Sequence, residues 1–310
     1  MLDVDVMFCF DDRILTGAGV SILSMLDHAD EDTRYRIHVM HPGLSKNIQS
    51  ALLELVEGSR HKMNFYHIPA SRFRDVPKNS GSWTEIVYYR LLASEILSGL
   101  SRVIYSDVDV FIKKDLASVF EIDLSDCEWG GVAAERNCPD AIMHKYFPEN
   151  SKEFIYFSGF MVMNLDLMRG NDAVNRYFSG IEEFGRRLKF FDLDLLNICT
   201  TQVARVPFSY CVLETIYEAN DVTSARDYGF LQSVYSVAEL EAARDKPAII
   251  HYAGKRGKPW QRRDVPTDFF SVERRLPKRL QRKTFRDFRK RWLSRKGQAH
   301  LMSRTPVERI

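Results

Sequence analysis

A chain of 310 residues with 45% apolar and 28% charged residues can bury one large core or two ordinary ones, and its composition is that of a soluble globular protein. No run approaches the roughly 18 uninterrupted apolar residues of a membrane span, and five cysteines, odd in number and without a Cys-x-x-Cys pair, argue against a zinc site and a disulfide framework. The formal charge of +2 hides an asymmetry: residues 271–310 hold 14 Lys/Arg against 3 Asp/Glu, a net of +11, so the rest of the chain carries −9.

The opening "MLDVDVMFCFDD" has acids where a signal peptide needs Lys or Arg, so it reads as a first strand and the protein is expected in the cytoplasm. Strand-like and helix-like runs then alternate. "VDVMFCF" (4–10) is a strand, and "GAGVSILSMLDHA" (17–29) is a helix with Val20, Leu23 and Leu26 at helical spacing. "YRIHVM" (35–40) is a strand, 45–58 a helix opened by Ser45 and closed by Gly58, and 63–68 a strand. Residues 84–100 form a helix and 101–112 one further strand. This order predicts a largely parallel sheet with helices on its faces. From about 130 the pattern turns mixed: strands at 130–134, 158–168, 205–213 and 247–254, and a helix at 175–188. The fold class is α/β, and 263–310 are expected as a basic tail separate from a body of residues 1–262.

"SDVDV" places Asp107 and Asp109 two residues apart. On one extended strand they would project to the same side, with Val108 opposite. Two converging carboxylates repel unless a cation lies between them, and oxygen ligands suit Mg²⁺ or Mn²⁺. Beyond the carboxyl end of a strand is where an open α/β sheet binds its ligands. Downstream, "IIHYAGKRGKPW" (249–260) puts His251 at the end of an apolar strand, a candidate third ligand that tilts the choice toward Mn²⁺. Gly254 and Gly257 allow a close backbone approach to a phosphate, and Lys258 can place a charge on it.

"YYRLLASEIL" (88–97), "RVIYSDVDVFI", "YFSGFMVMNL" (156–165), "DLDLLN" (192–197) and "HYAGKRGKPW" stand in the order and approximate spacing of the family 8 retaining glycosyltransferases. Over residues 3–262 the chain resembles the bacterial members that add galactose or glucose to lipopolysaccharide. The resemblance implies a GT-A fold, a UDP-hexose donor, Mn²⁺ and retention of anomeric configuration. It implies that Asp107, Asp109 and His251 hold the metal. Cys9, Asp11 and Arg13 would line the nucleotide pocket, with Val108 and Ser158 beside the donor. Arg90 and Asp192 would face the donor sugar, and Gly254 and Lys258 would bind the diphosphate. Asp192 also reads as a helix N-cap.

The chain departs from the family pattern at three places. Leu193 stands where the family has Gln, Phe157 where it has Asn before Ser-Gly, and Arg13 where Asn is common. A leucine can neither attack the sugar nor hydrogen-bond it. This leaves open a sugar-nucleotide or glycan-binding protein with weakened catalysis. A nucleotidyltransferase ranks lower, because "FDDRILTGAG" puts acids where a triphosphate would lie. In the tail, Leu276, Leu280, Phe288 and Trp292 recur at multiples of four residues among Arg and Lys, the pattern of a basic amphipathic helix. The expected partner is the inner membrane face bearing a lipid-linked glycan acceptor. Nucleic acid is not expected, since the body is acidic and carries no nucleic-acid motif.

Overall fold

The computed structural model of the chain describes residues 1–77, 84–254 and 256–282. Residues 78–83, and the tail beyond Arg282 with Phe288 and Trp292, lie outside the described residues. Ten strands form two sheets: β1 (Leu2–Cys9), β2 (Thr33–His41), β3 (Lys62–His67), β4 (Arg102–Ser106), β5 (Val110–Ile112), β6 (Trp129–Arg136), β7 (Phe154–Asn164), β8 (Val203–Val206), β9 (Val212–Leu213) and β10 (Ile249–His251). The larger sheet runs β3-β2-β1-β4-β7-β6-β8, the smaller β5-β10-β9. Strands β3, β2, β1 and β4 are mutually parallel, and β7 runs antiparallel to β4 and β6. The chain winds outward from β1 to β3 and returns to β4 on the other side of β1. The carboxyl ends of β1 and β4 therefore border a crevice of the kind in which doubly wound sheets bind ligands.

Alternation explains β1 and β2. Val4, Val6, Phe8, Tyr35, Ile37 and Val39 fill one face and are fully buried. On the other face Asp3 stands opposite Arg34, and Asp5 opposite Arg36. The Arg34–Asp3 pair closes to 2.5 Å, and His38 lies 2.9 Å from Asp5. The acids of "LDVDV" thus fix register across the strands.

Two expected elements differ. The helix expected at 84–100 is a 3₁₀ segment, Glu85–Leu92, followed by one α-turn, Ala93–Ile96. Tyr88 to Leu92 are all buried, so packing on every side overrides the preference for a straight α-helix. The strand expected at 101–112 is broken at 107–109, where the chain bends out of the large sheet and into the small one. The helix Leu15–Asp27 holds that bend. Ser21 Oγ lies 2.9 Å from the Val108 carbonyl and 2.8 Å from that of Val110, and Ile112 N donates to Ser24 Oγ at 3.1 Å. A Cβ at Gly17 would lie 2.5 Å from the Trp260 ring and 2.7 Å from the Val108 oxygen, so only glycine fits there.

The chain does not leave the body at residue 262. The helix Thr267–Glu273 buries Phe269 and Val272, and its Asp268 lies 2.6 Å from Lys113. Arg275 forks onto Asp27 at 2.5 and 2.7 Å. Residues 274–282 are turns rather than the start of an amphipathic helix. Leu276 and Leu280, expected to face lipid, are buried, and Leu276 packs on Gly19. No helix among the described residues is long and apolar enough to cross a membrane.

Candidate active site

The bend at 107–109 puts both aspartates at the seam between the sheets. Alternation along one strand is not what makes them converge. Asp107 is held from the large sheet: its backbone N–H donates to the Gly159 carbonyl at 2.8 Å. Its Oδ1 accepts from Tyr105 Oη at 2.6 Å and from Arg90 Nη2 at 3.0 Å. Arg90 is buried, with its guanidinium 4.0 Å above the Tyr105 ring. It donates from Nη1 to the Ser158 carbonyl at 2.7 Å and lies 3.3 Å from Asp192 Oδ2. Asp109 is held from the small sheet: its carbonyl accepts from Tyr252 N at 2.9 Å, and Lys258 Nζ pairs with its carboxylate. Lys258 also donates to the Tyr252 carbonyl at 3.1 Å.

His251 Nε2 lies 3.3 Å from Asp109 and 3.7 Å from Asp107. One ligand atom from each of Asp107, Asp109 and His251 falls within 4.8 Å of the others. Two oxygens and one imidazole nitrogen suit Mn²⁺ or a similar divalent cation. Gly159 keeps the space open: a Cβ there would lie 2.6 Å from His251 Cε1 and 2.9 Å from Asp107 Oδ2. The residues fit a metal.

Electrostatics separate the carboxylates. Burial pushes the Asp109 carboxyl up, but the charges of His251 and Lys258 outweigh it and hold the group well below the usual carboxylate range. Burial pulls the His251 imidazole down, and the Asp109 carboxylate more than reverses this, raising it well above its ordinary value. Asp192 goes the other way. Burial, opposed by Arg90 and assisted by the Asp107 charge, raises it to about 6. Its Oδ2 has no hydrogen-bond donor among the described residues. Burial raises the Cys9 thiol to about 12, so Cys9 is a neutral wall and not a nucleophile.

The structure brings together seven of the residues singled out from sequence: Arg90, Asp107, Asp109, Ser158, Asp192, His251 and Lys258. Ser158 contributes its carbonyl to Arg90. Val108 is buried, and its carbonyl meets Ser21. Cys9 ends β1, where its thiol feels the charges of Arg90, Asp107 and Asp192. Asp11 and Arg13 form a separate pair just beyond it, Arg13 Nε donating at 2.6 Å, while Arg13 Nη2 donates to Thr84 Oγ1 at 3.1 Å. Gly254 and Gly257 both have positive φ, +106° and +84°, as a tight loop requires. Arg226 packs against Gly254. Asp192 is not an N-cap: Phe191 occupies that position with φ +51°, and Asp192 is the first helical residue of Asp192–Cys199. The helix start has no side-chain cap, and Asp194 in its first turn instead ties down the preceding loop, its Oδ2 accepting from Lys189 N at 2.6 Å and Phe190 N at 2.8 Å. Leu193 is partly buried in the first turn, and Phe157 lies edge-on to Phe230 at 6.3 Å. Sequence reasoning missed Tyr105, Gly159 and Cys211. A glycine interrupting a strand was the available signal for Gly159.

Known proteins resemble the chain in sequence and in fold. The chain is 24% identical over 269 residues to the "Lipopolysaccharide 1,2-glucosyltransferase" of Escherichia coli, covering 84% of this chain and 73% of that protein. It is 23% identical over 267 residues to the "Lipopolysaccharide 1,3-galactosyltransferase" of Salmonella typhimurium, covering 83% and 72%. Among solved structures, the galactosyltransferase LgtC, described in complex with donor and acceptor sugar analogs, superposes with a TM-score of 0.74 at 22% identity. The match covers 89% of this chain and 98% of that one, and it shows that the fold is GT-A. The model of the family described as "Glycosyl transferase family 8" matches residues 5–264, and the chain belongs to that family.

Proposed function

We propose that this glycosyltransferase is a retaining, divalent-metal-dependent enzyme that moves glucose or galactose from a UDP-sugar to a lipopolysaccharide or other surface-glycan acceptor. The observation that carries the reading is the meeting of Asp107, Asp109 and His251 at the crevice, with Lys258 on one flank and the Arg90–Asp192 pair on the other. A bound Mn²⁺ would relieve the repulsion between the two carboxylates and, with Lys258, offset part of the negative charge that builds on UDP as the glycosyl bond breaks. Lys258 carries a charge suited to the same diphosphate, and Gly254 and Gly257 let backbone approach it. Arg90 holds Asp107 and Asp192 in fixed orientation. Asp192 is placed to stabilise positive charge at the anomeric carbon or to orient sugar hydroxyls. Cys9, Asp11, Arg13, Val108 and Ser158 would line the nucleotide and donor pocket. With Leu193 beside Asp192, the sugar meets an apolar side chain, so the acceptor enters from the face that UDP leaves, with no enzyme nucleophile.

The lipopolysaccharide acceptor is supported by the two relatives' names, and membrane association by the net +11 of residues 271–310. The test incubates the protein with UDP-glucose or UDP-galactose and Mn²⁺, with and without EDTA, and follows UDP release. Release that EDTA abolishes is expected, and no release or donor binding with any UDP-sugar would sink the reading. Leu193 favours a second reading, donor binding without turnover. It predicts tight UDP-sugar binding with no release.

A further inference from the structure

We infer that Cys211 is a positioning residue for His251: its sulfur accepts the Nδ1–H hydrogen bond and holds the imidazole in the tautomer whose Nε2 lone pair faces Asp107 and Asp109. The inference rests on the metal reading above and concerns a side chain outside the ligand set. Cys211 Sγ lies 3.4 Å from His251 Nδ1, the only hydrogen-bond partner of that nitrogen among the described residues. Both residues are buried, 1% and 7% exposed. Their approach is built into the small sheet. Cys211 directly precedes β9, and β9 pairs with β10 so that Leu213 faces His251 and Val212 faces Ile250.

An imidazole that ligates through Nε2 must carry its proton on Nδ1, and a buried N–H needs an acceptor. Ligating histidines usually find one in a carboxylate or a carbonyl. Here two carboxylates already share the site, and a third acid would add repulsion in a poorly solvated place. A cysteine sulfur orients the ring without bringing in a third carboxylate. Cys211 cannot be a ligand to the same ion, because Nδ1 and Nε2 point to different sides of the ring and the aspartates are on the Nε2 side.

The test uses the full chain with UDP. Ring ¹⁵N spectra of histidine-labelled wild type with Mg²⁺, a diamagnetic stand-in, should show His251 as the Nδ1–H tautomer. Mn²⁺ affinity, read by electron paramagnetic resonance of free Mn²⁺, should fall on the order of tenfold in Cys211→Ala and return in Cys211→Ser. An Nε2–H tautomer in the wild-type complex overturns the inference and needs no variant. So does unchanged Mn²⁺ affinity in Cys211→Ala when His251→Ala has lost it. A wild type that binds no divalent cation overturns the metal reading itself, and this inference with it.

Discussion

Asp107 leaves the seven-stranded sheet among fixed partners: its carboxylate accepts from the Tyr105 hydroxyl and the buried Arg90 guanidinium, and its backbone N–H donates to the Gly159 carbonyl. Asp109 enters the three-stranded sheet against His251 and against Lys258, whose side chain is 30% exposed and can swing to water. One carboxylate is tied to partners that cannot leave, the other to one that can. The two sheets thus divide the work. The large one sets position, and the small one supplies charge that a substrate can redirect. A donor diphosphate can take Lys258 from Asp109, whereas nothing can take Arg90 from Asp107 without burying a bare charge.

The largest effects should come from breaking each side in turn. Asp107→Ala and Asp109→Ala should each cut metal-dependent transfer on the order of a thousandfold, the loss expected when a main source of leaving-group stabilisation goes. Their stabilities should differ. Asp107→Ala leaves Arg90 in the interior with Asp192 alone and should cost about 3 kcal/mol, while Asp109→Ala should cost about 1 kcal/mol or less. Urea unfolding at pH 7 measures both. Equal losses, or a larger loss for Asp109→Ala, would remove the distinction between the two sheets.

The sequence carried much of this site and missed its seam. Asp107, Asp109, His251 and Lys258 were readable because metal and phosphate chemistry restricts residue types: the aspartates lie between two apolar strands, His251 ends a third, and Lys258 follows Gly254 and Gly257. Arg90 and Asp192 were readable only through the family resemblance, since a buried arginine has no local signature. The break at 107–109 was not readable. Seven of the twelve residues from Ser101 to Ile112 are apolar, residues 107–110 alternate as a strand does, and the bend is imposed from outside by Ser21, Ser24 and Gly17 on another element. Leu276 and Leu280 misled for a related reason. A four-residue apolar step reads the same whether it faces lipid or the body of the protein.

Gly159 on the large sheet lies against His251 of the small one, and it offers a sharper probe than a ligand deletion. Gly159→Ala adds one methyl group 2.6 Å from His251 and 2.9 Å from Asp107, so it removes no ligand and forces the ligands to shift. It should weaken Mn²⁺ binding and transfer by about a hundredfold, since misplacement of about 1 Å is felt on that scale. Isothermal titration with Mn²⁺ and UDP reads it. Near-normal binding would mean that the ligands close elsewhere.

Asp192 extends the large sheet's fixed side toward the sugar. Its carboxyl is raised to about 6, chiefly by burial. If its anion serves the transition state, kcat rises with pH through 6 and then levels, so at pH 5 about a tenth of the plateau remains. The sign follows from the active form being the deprotonated one. Asp192→Asn should lose this limb along with most of the rate. A limb near 4 in the wild type would instead place the carboxylate in water.

The smallest effect tests what holds the seam. Ser21 Oγ sits between the carbonyls of Val108 and Val110, one on each side of Asp109, and all three atoms are buried. Ser21→Ala removes the hydroxyl and leaves both carbonyls without that donor, which should cost about 2 kcal/mol. Because Ser21 holds the carbonyls on either side of Asp109, while Asp107 is held by Tyr105, Arg90 and Gly159, the same change should weaken Mn²⁺ binding a few-fold and leave the Arg90–Asp192 pair undisturbed. The acid limb of the rate near pH 6 should then keep its midpoint while the metal dependence shifts. A moved midpoint would show that the bend also governs the large sheet's side, and that the two halves of the site are not held independently.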